Sequence, residues 1–503
     1  MYKLLHFPEP SLEFGHSQIL EDPRDGLTLF GPLDQAPQYG IRAGVIGTAV
    51  GIQRFERWAD QMQKPIGVSQ EERARPPFPG FDATFHASWN LARIPKIQID
   101  TEELLAALRI GGAHQRVHKT VSIYAEPILA FQRAEETPID MWFVIIPEEV
   151  YKLCRPKSHV RKSESVKIGG EMSVRLARRV ATSPSLFPEL NQDAVPYQYE
   201  PDFHNQLKGR LLGSNVATQL IREPKIAFRE FRTKSGHLAQ DLSRLESTIA
   251  WNLATATFYK TGGRPWKLAT IREGVCYLGL VFKLDERGSR RDWACCAAKM
   301  FLDSGDGIVF RGALGPWYSS DTKEFHLSER AARDLMSTAL AGYKSKRGVL
   351  PTEVFIHGKV RFGSEEWRGF QIAAGSDVKL VGVRITEEKS LRLFRPDKNT
   401  VLRGLAFVRD ERTAFLWTRG FVPRIQTYAG REVPIPLLID VCRGQAEIEV
   451  VLQDILALTK LNYNTCGLGD GIPVTLRFAD AVGEVLTAGP LDGVPPLPFK
   501  YYI

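Results

Sequence analysis

Two lysines, a glutamine and a histidine stand at spacings that let them share one point in space. In Phe203-His204-Asn205-Gln206-Leu207-Lys208, the apolar positions Phe203, Leu207, Leu211 and Leu212 predict a helix. That helix sets His204 and Lys208 four apart, on one face. Gln219 begins a strand-like run after a Gly213-Ser214-Asn215 turn, and Lys260 closes a long helical pattern that ends in Thr261-Gly262-Gly263-Arg264-Pro265-Trp266. Lysine supplies charge to a phosphate, glutamine supplies amide donors, and histidine offers a flat ring on which a base stacks. The chemistry implied is capture of an anion. By spacing alone, the bland alternative is a set of solvated surface lysines.

His204-x3-Lys208, Gln219 and Lys260-x-Gly-Gly resemble the guide 5′-phosphate pocket of Argonaute proteins, and the likeness extends over almost the whole chain. It is closest to the short prokaryotic Argonautes, which resemble only the MID and PIWI halves of the long proteins. Two positions depart from the pattern. The first is aromatic in many relatives and is His204 here, and Ala256 stands where many long Argonautes carry another lysine. The resemblance implies an α/β chain built of a Rossmann-like MID domain and an RNase H-like PIWI domain. It divides the sequence into an N-terminal segment lying on PIWI (1–36), MID (37–265) and PIWI (266–503).

Phe14-Gly15 and the run from Asp22 to Pro32 predict an extended, turn-rich opening. Gly44-Val45-Ile46-Gly47-Thr48 followed by Val50 to Phe55 predicts strand, glycine turn and helix, but Gly44-x2-Gly47-x3-Gly51 is not the dinucleotide fingerprint. Helices near Glu102 to Leu108 and Val117 to Arg133, with a continuous apolar strand at Met141 to Pro147, indicate a parallel, doubly wound sheet. Residues 155–200, with Lys157, Arg161, Lys162 and Lys167, form a basic and poorly periodic insertion, either a mobile loop over nucleic acid or a solvated connection.

After Trp266 three strands follow, at Cys276 to Lys283, Trp293 to Ala298 and Gly307 to Arg311, joined by Asp285-Glu286-Arg287-Gly288 and Gly305-Asp306-Gly307 turns. A helix from Ser328 to Tyr343 leads to a strand at Glu353 to His357, the element order of an RNase H-like fold. Two-metal phosphodiester cleavage needs several carboxylates to hold two cations about 4 Å apart. Where active PIWI domains place these acids, this chain has Val281 and Lys359, while Asp285 and Glu286 fall in the hairpin turn. The resemblance therefore implies a PIWI domain that binds a duplex without cutting it.

An amphipathic helix from Ala446 to Leu461 runs into Lys460 and Asn462, and a second, from Pro473 to Leu486, holds Thr475 and Arg477. These resemble the closing PIWI helices, whose exposed Lys, Asn, Thr and Arg line the nucleic-acid channel. In the family the apolar tail, here Phe499-Lys500-Tyr501-Tyr502-Ile503, tucks under MID, and its terminal carboxylate helps hold a divalent ion on the guide phosphate. The resemblance thus implies Mg²⁺ shared by Gln219 and Ile503, a hard cation on oxygen ligands.

The 503 residues exceed one core, so two domains are expected, and 43% hydrophobic with 25% charged residues describe an ordinary globular chain. A net charge of +8 permits a polyanionic partner. Six cysteines without zinc or disulfide spacing fit a reducing compartment, and no signal peptide or long apolar run appears, so a cytoplasmic protein without membrane contact is expected. His114 and His118 share helical spacing, but Gln115 stands where a zinc protease needs Glu.

Short Argonautes resemble one half of two-protein defence systems, whose partner joins an APAZ region to a TIR or sirtuin-like NADase. The implied function is a sensor that loads a 5′-phosphorylated guide RNA, pairs it with single-stranded target DNA, and switches on the partner. The heterodimer is expected to oligomerise on target binding, to deplete NAD and to cause abortive infection. The alternative is a guide-directed nuclease acting on DNA itself.

Overall fold

A computed structural model describes residues 2–503 except 37–38, 69–73, 90–93, 135–138, 162, 167–171, 234, 285–293, 302–306, 315–316, 320–323, 397–398, 429, 431, 491–494 and 496. Asp285, Glu286, Trp293, Asp306, Lys162 and Lys167 therefore lie outside the described residues.

The first half folds on a four-stranded parallel sheet in the order Lys96–Ile99, Ala43–Thr48, Met141–Ile146, Ala217–Arg222. Its two central strands are buried at every position, which is why they read as continuous apolar runs rather than alternating ones. Thr48 Oγ1 accepts from the Gly51 amide at 3.1 Å and so starts the helix Ala49–Met62. Gly44 has a packing reason: a Cβ there would meet the Trp142 ring at 2.5 Å.

The second half is a ten-stranded mixed sheet. Its centre places Glu353–Gly358 parallel to both Val275–Leu284 and Lys379–Glu387, and Ala294–Phe301 and Gly307–Leu314 continue it as an antiparallel meander. Helices Glu329–Arg347 and Ser364–Ala374 pack into one apolar cluster with the meander, and Ile448–Leu458 and Ala479–Thr487 into another. That second cluster runs on without a break to Phe143 and Ile145 of the small sheet, so the halves share one core. No helix among the described residues is long and apolar enough to cross a membrane.

Three sequence-based expectations change. Asp22 to Pro32 is not extended: Asp22 caps a helix Pro23–Phe30 through the Arg24 amide at 2.9 Å, and Gly26 lets that helix lie on the Phe14 ring. The helix expected from Pro473 to Leu486 is two, Val474–Arg477 and Ala479–Thr487, broken at Phe478, whose ring packs on Phe499. The insertion at 155–200 contains helices Val174–Thr182 and Pro188–Ala194, which close over a small apolar cluster of their own.

Candidate nucleic-acid interface

Asp202 Oδ1 caps the helix Phe203–Leu212 at the Asn205 amide, 3.0 Å away. Phe203, Leu207 and Leu211 bury one side of it beside Tyr124, which turns Lys208 toward the junction of the two halves. There Lys208 Nζ donates to the main-chain oxygen of Ile503 at 2.5 Å. Lys260, at the end of the helix Glu246–Lys260, donates to Gln219 Oε1 at 2.7 Å and to the Thr218 carbonyl at 3.0 Å. The tail that delivers Ile503 is anchored twice. Leu497–Pro498 pairs with Gly307–Leu314, and Phe499 and Tyr502 are buried, Phe499 edge-on to Phe301.

Both lysines are buried, and the partners of their ammonium groups among the described residues are main-chain and amide oxygens rather than side-chain carboxylates. Burial pushes Lys208 down to about 7 and Lys260 well below its ordinary value, the second also by repulsion from Lys208. His204 sits at the mouth, its ring open to solvent yet closely surrounded; desolvation and the Lys208 ammonium lower it to about 4. The structure thus brings His204, Lys208, Gln219 and Lys260 to one place, where two buried lysines have no side-chain carboxylate to hold their charge. A phosphate entering there would restore the charge on both ammonium groups.

The oxygens suited to Mg²⁺, Gln219 Oε1 and the Ile503 main-chain oxygen, do face this point, each accepting from an ammonium. Hard oxygens of this kind would suit such an ion beside the oxygens of a phosphate.

In the large sheet the parallel register runs from Glu353 opposite Val275 to His357 opposite Gly279. The strand that carries His357 ends at Gly358, directly before Lys359, while Val281 lies within Val275–Leu284. His357 Nδ1 and Thr475 Oγ1 lie 2.9 Å apart in full burial, and desolvation lowers His357 to about 3. Gly279 makes this approach possible, since a Cβ there would strike the Thr475 carbonyl at 2.0 Å. Among the described residues no group of three His, Cys, Asp or Glu is placed to hold a metal ion.

The expected channel residues are not four exposed side chains. Lys460 is buried against Glu9 at 2.8 Å and the Glu21 carbonyl at 2.6 Å. Asn462 is buried on Thr465 and Asp470, and Thr475 on His357. Only Arg477 of the four reaches the surface, 3.7 Å from Asp470. For Lys460 the reason is the N-terminal segment, which brings Glu9 onto Lys460 and Arg403 from the far end of the chain.

Beside this network lies a cleft of about 1060 Å³ that the sequence did not signal, lined among others by Arg24, Arg75, Asn252, Arg403, Arg419 and Tyr428. Arg24 is tied to Asp22 and Arg403 to Glu9, while the exposed Arg419 guanidinium has no hydrogen-bond partner among the described residues. The lining comes from distant parts of both halves, so no local motif records it.

No protein-family model matches the chain. A protein argonaute of Aquifex aeolicus (strain VF5) is 23% identical over 245 residues, 48% of this chain and 32% of that protein. Clostridium butyricum Argonaute, solved with a guide DNA and a 19-mer target DNA, is similar with a TM-score of 0.64 at 13% identity, over 100% of this chain and 55% of that one. A. aeolicus Argonaute, solved with externally bound siRNA, gives 0.55 at 15% identity over 100% and 56%, and Drosophila Piwi 0.55 at 13% over 99% and 56%. The chain spans about half the length of these solved relatives and about a third of the curated one. What it shares with the solved proteins is the fold, a parallel sheet followed by a large mixed sheet.

Proposed function

We propose that this homologue of Argonaute proteins is the guide-holding subunit of a two-protein immune system. Lys208, Gln219 and Lys260 hold the 5′-phosphate of a guide RNA, with His204 against the first base and Mg²⁺ between Gln219 and Ile503. The guide lies in the arginine-lined cleft and pairs there with single-stranded DNA. The observation that carries this reading is the pair of buried ammonium groups that meet with no side-chain carboxylate to neutralise them. Filter retention of labelled guides bearing a 5′-phosphate or a 5′-hydroxyl tests it. The phosphorylated guide is expected to bind more tightly, and equal affinity would overturn the assignment.

The target stays uncut in this proposal. An apolar residue at Val281 and an ammonium at Lys359 offer nothing to a divalent cation, and a lysine repels one. Incubation of the loaded protein with labelled, fully paired target and Mg²⁺ or Mn²⁺ is expected to leave the strand intact. Metal-dependent scission within the paired region refutes this part. Enzymatic output then falls to the partner, an APAZ-containing TIR or sirtuin-like NADase, activated and oligomerised when the target pairs. Loss of NAD on adding guide and matched target to the co-purified complex, and none with a mismatched target, is the expected result.

A further inference from the structure

The ten-stranded sheet ends on one side at Lys3–His6, with no described strand beyond it. The Phe7 amide donates to the Gly404 carbonyl at 2.9 Å, and the register pairs Leu5 with Ala406 and Lys3 with Val408. In an antiparallel ladder residues of one parity turn their main-chain groups to the neighbour. Lys3, Leu5 and Phe7 therefore bond inward, and the N–H and C=O of Leu4 and His6 face away from the sheet. Natural edges are blunted by charge, proline or a bulge. This one has neither proline nor a register shift, and its single lysine is held by Glu449 at 3.1 Å.

The sheet face beside the edge is also unfinished. Tyr2, just before the edge strand, stacks on Phe407 at 5.6 Å and Phe407 on Phe415 at 6.1 Å, a ladder running on across the next two strands. Phe407 and Phe415 are only half-buried, while Tyr2 is 71% and Leu4 66% exposed. The alternate residues Ala406, Val408, Ala414 and Leu416 are buried in the main core.

We propose that this edge accepts an extended strand of a partner protein, bonded to Leu4 and His6 and laying alternate apolar side chains over the Tyr2–Phe407–Phe415 ladder. A row of outward main-chain donors and acceptors is matched by another main chain, and the exposed rings select apolar residues at every second position. A second copy of this chain fits less well. Two four-residue edges fall short of the roughly 1,000 Å² that a stable interface needs, and each copy carries +8. The inference rests on the proposed function only in requiring a protein partner.

The test uses the full chain, alone and co-expressed with the product of the adjacent reading frame. In the complex, exchange of the Leu4 and His6 amides is expected to slow at least tenfold. Leu4→Pro removes the outward donor while sparing the bonds of Lys3 and Leu5, and it should weaken the complex tenfold or more with unchanged affinity for a 5′-phosphorylated guide. Leu4→Lys is the second variant should the proline prevent folding, with the same loss expected. If the co-expressed protein binds but the two amides exchange freely and both variants bind normally, the partner docks elsewhere: this inference falls and the proposed function stands. If no complex forms, both fall. Protection in the chain alone, together with sedimentation as a dimer, assigns the edge to a second copy and overturns the inference.

Discussion

Lys460 and the pair Lys208 and Lys260 are buried alike, yet they differ in what answers their charge. Lys460 lies 2.8 Å from Glu9, which also takes Arg403; burial works to raise the Glu9 carboxyl, but the two cations hold it below its ordinary value. That cluster is complete within the chain. Lys208 and Lys260 meet a main-chain oxygen, a carbonyl and an amide, and each suffers a lowered pKa. A buried lysine with its own carboxylate joins distant segments. A buried pair without one is suited to an anion from outside.

The largest effect expected from this contrast is on stability. Lys460→Met leaves Glu9 with one cation fewer and should cost about 3 kcal/mol in chemical denaturation, as removal of one partner from a buried pair does. Guide affinity should barely move. Lys208→Met inverts the outcome. Exchange of a buried ammonium that has no side-chain carboxylate for an apolar chain of similar size should leave the free protein as stable or more so. Affinity for a 5′-phosphorylated guide should drop by roughly tenfold to a hundredfold, the loss of about 1.5–3 kcal/mol for a charged hydrogen bond. If both variants lose stability and neither loses phosphate discrimination, the two sites are of one kind.

The pH dependence sharpens the same point. Lys208 titrates at about 7 in the folded chain against an ordinary 10.5, so across that window the unfolded chain binds a proton that the folded chain lacks. Stability of the free protein from this group therefore rises with pH from about 7 to 10.5 and is weakest below it. A bound phosphate retains the ammonium, so loading takes up a proton above pH 7. Affinity for the 5′-phosphorylated guide should then fall with rising pH, by up to about tenfold per unit, while that of a 5′-hydroxyl guide stays flat. Anisotropy titrations at a series of pH values separate the two.

The smallest effect belongs to the cleft. Arg419→Ala should weaken guides of every sequence a few-fold and lower the salt slope by about one, as loss of a single phosphate contact does. A loss confined to the 5′-phosphorylated guide would place Arg419 in the pocket instead.

Local pattern determined much of this protein. The apolar period of Phe203, Leu207 and Leu211 sets Lys208 on the helix face beside His204, and continuous apolar runs mark Ala43–Thr48 and Met141–Ile146 as buried strands. Val281 and Lys359 could be read as lacking carboxylates because identity needs no fold. The rest required contacts that no window of sequence contains. Lys208 reaches Ile503 across 295 positions, and Lys460 reaches Glu9 across 451. A lysine at the end of an amphipathic helix reads as a solvated channel residue until the tertiary structure lays a carboxylate on it. The arginine cleft, assembled from both halves, has no local signal either. Periodicity fixes which side of its own element a residue occupies, but burial and charge balance depend on what packs against that side, and only the folded chain decides that.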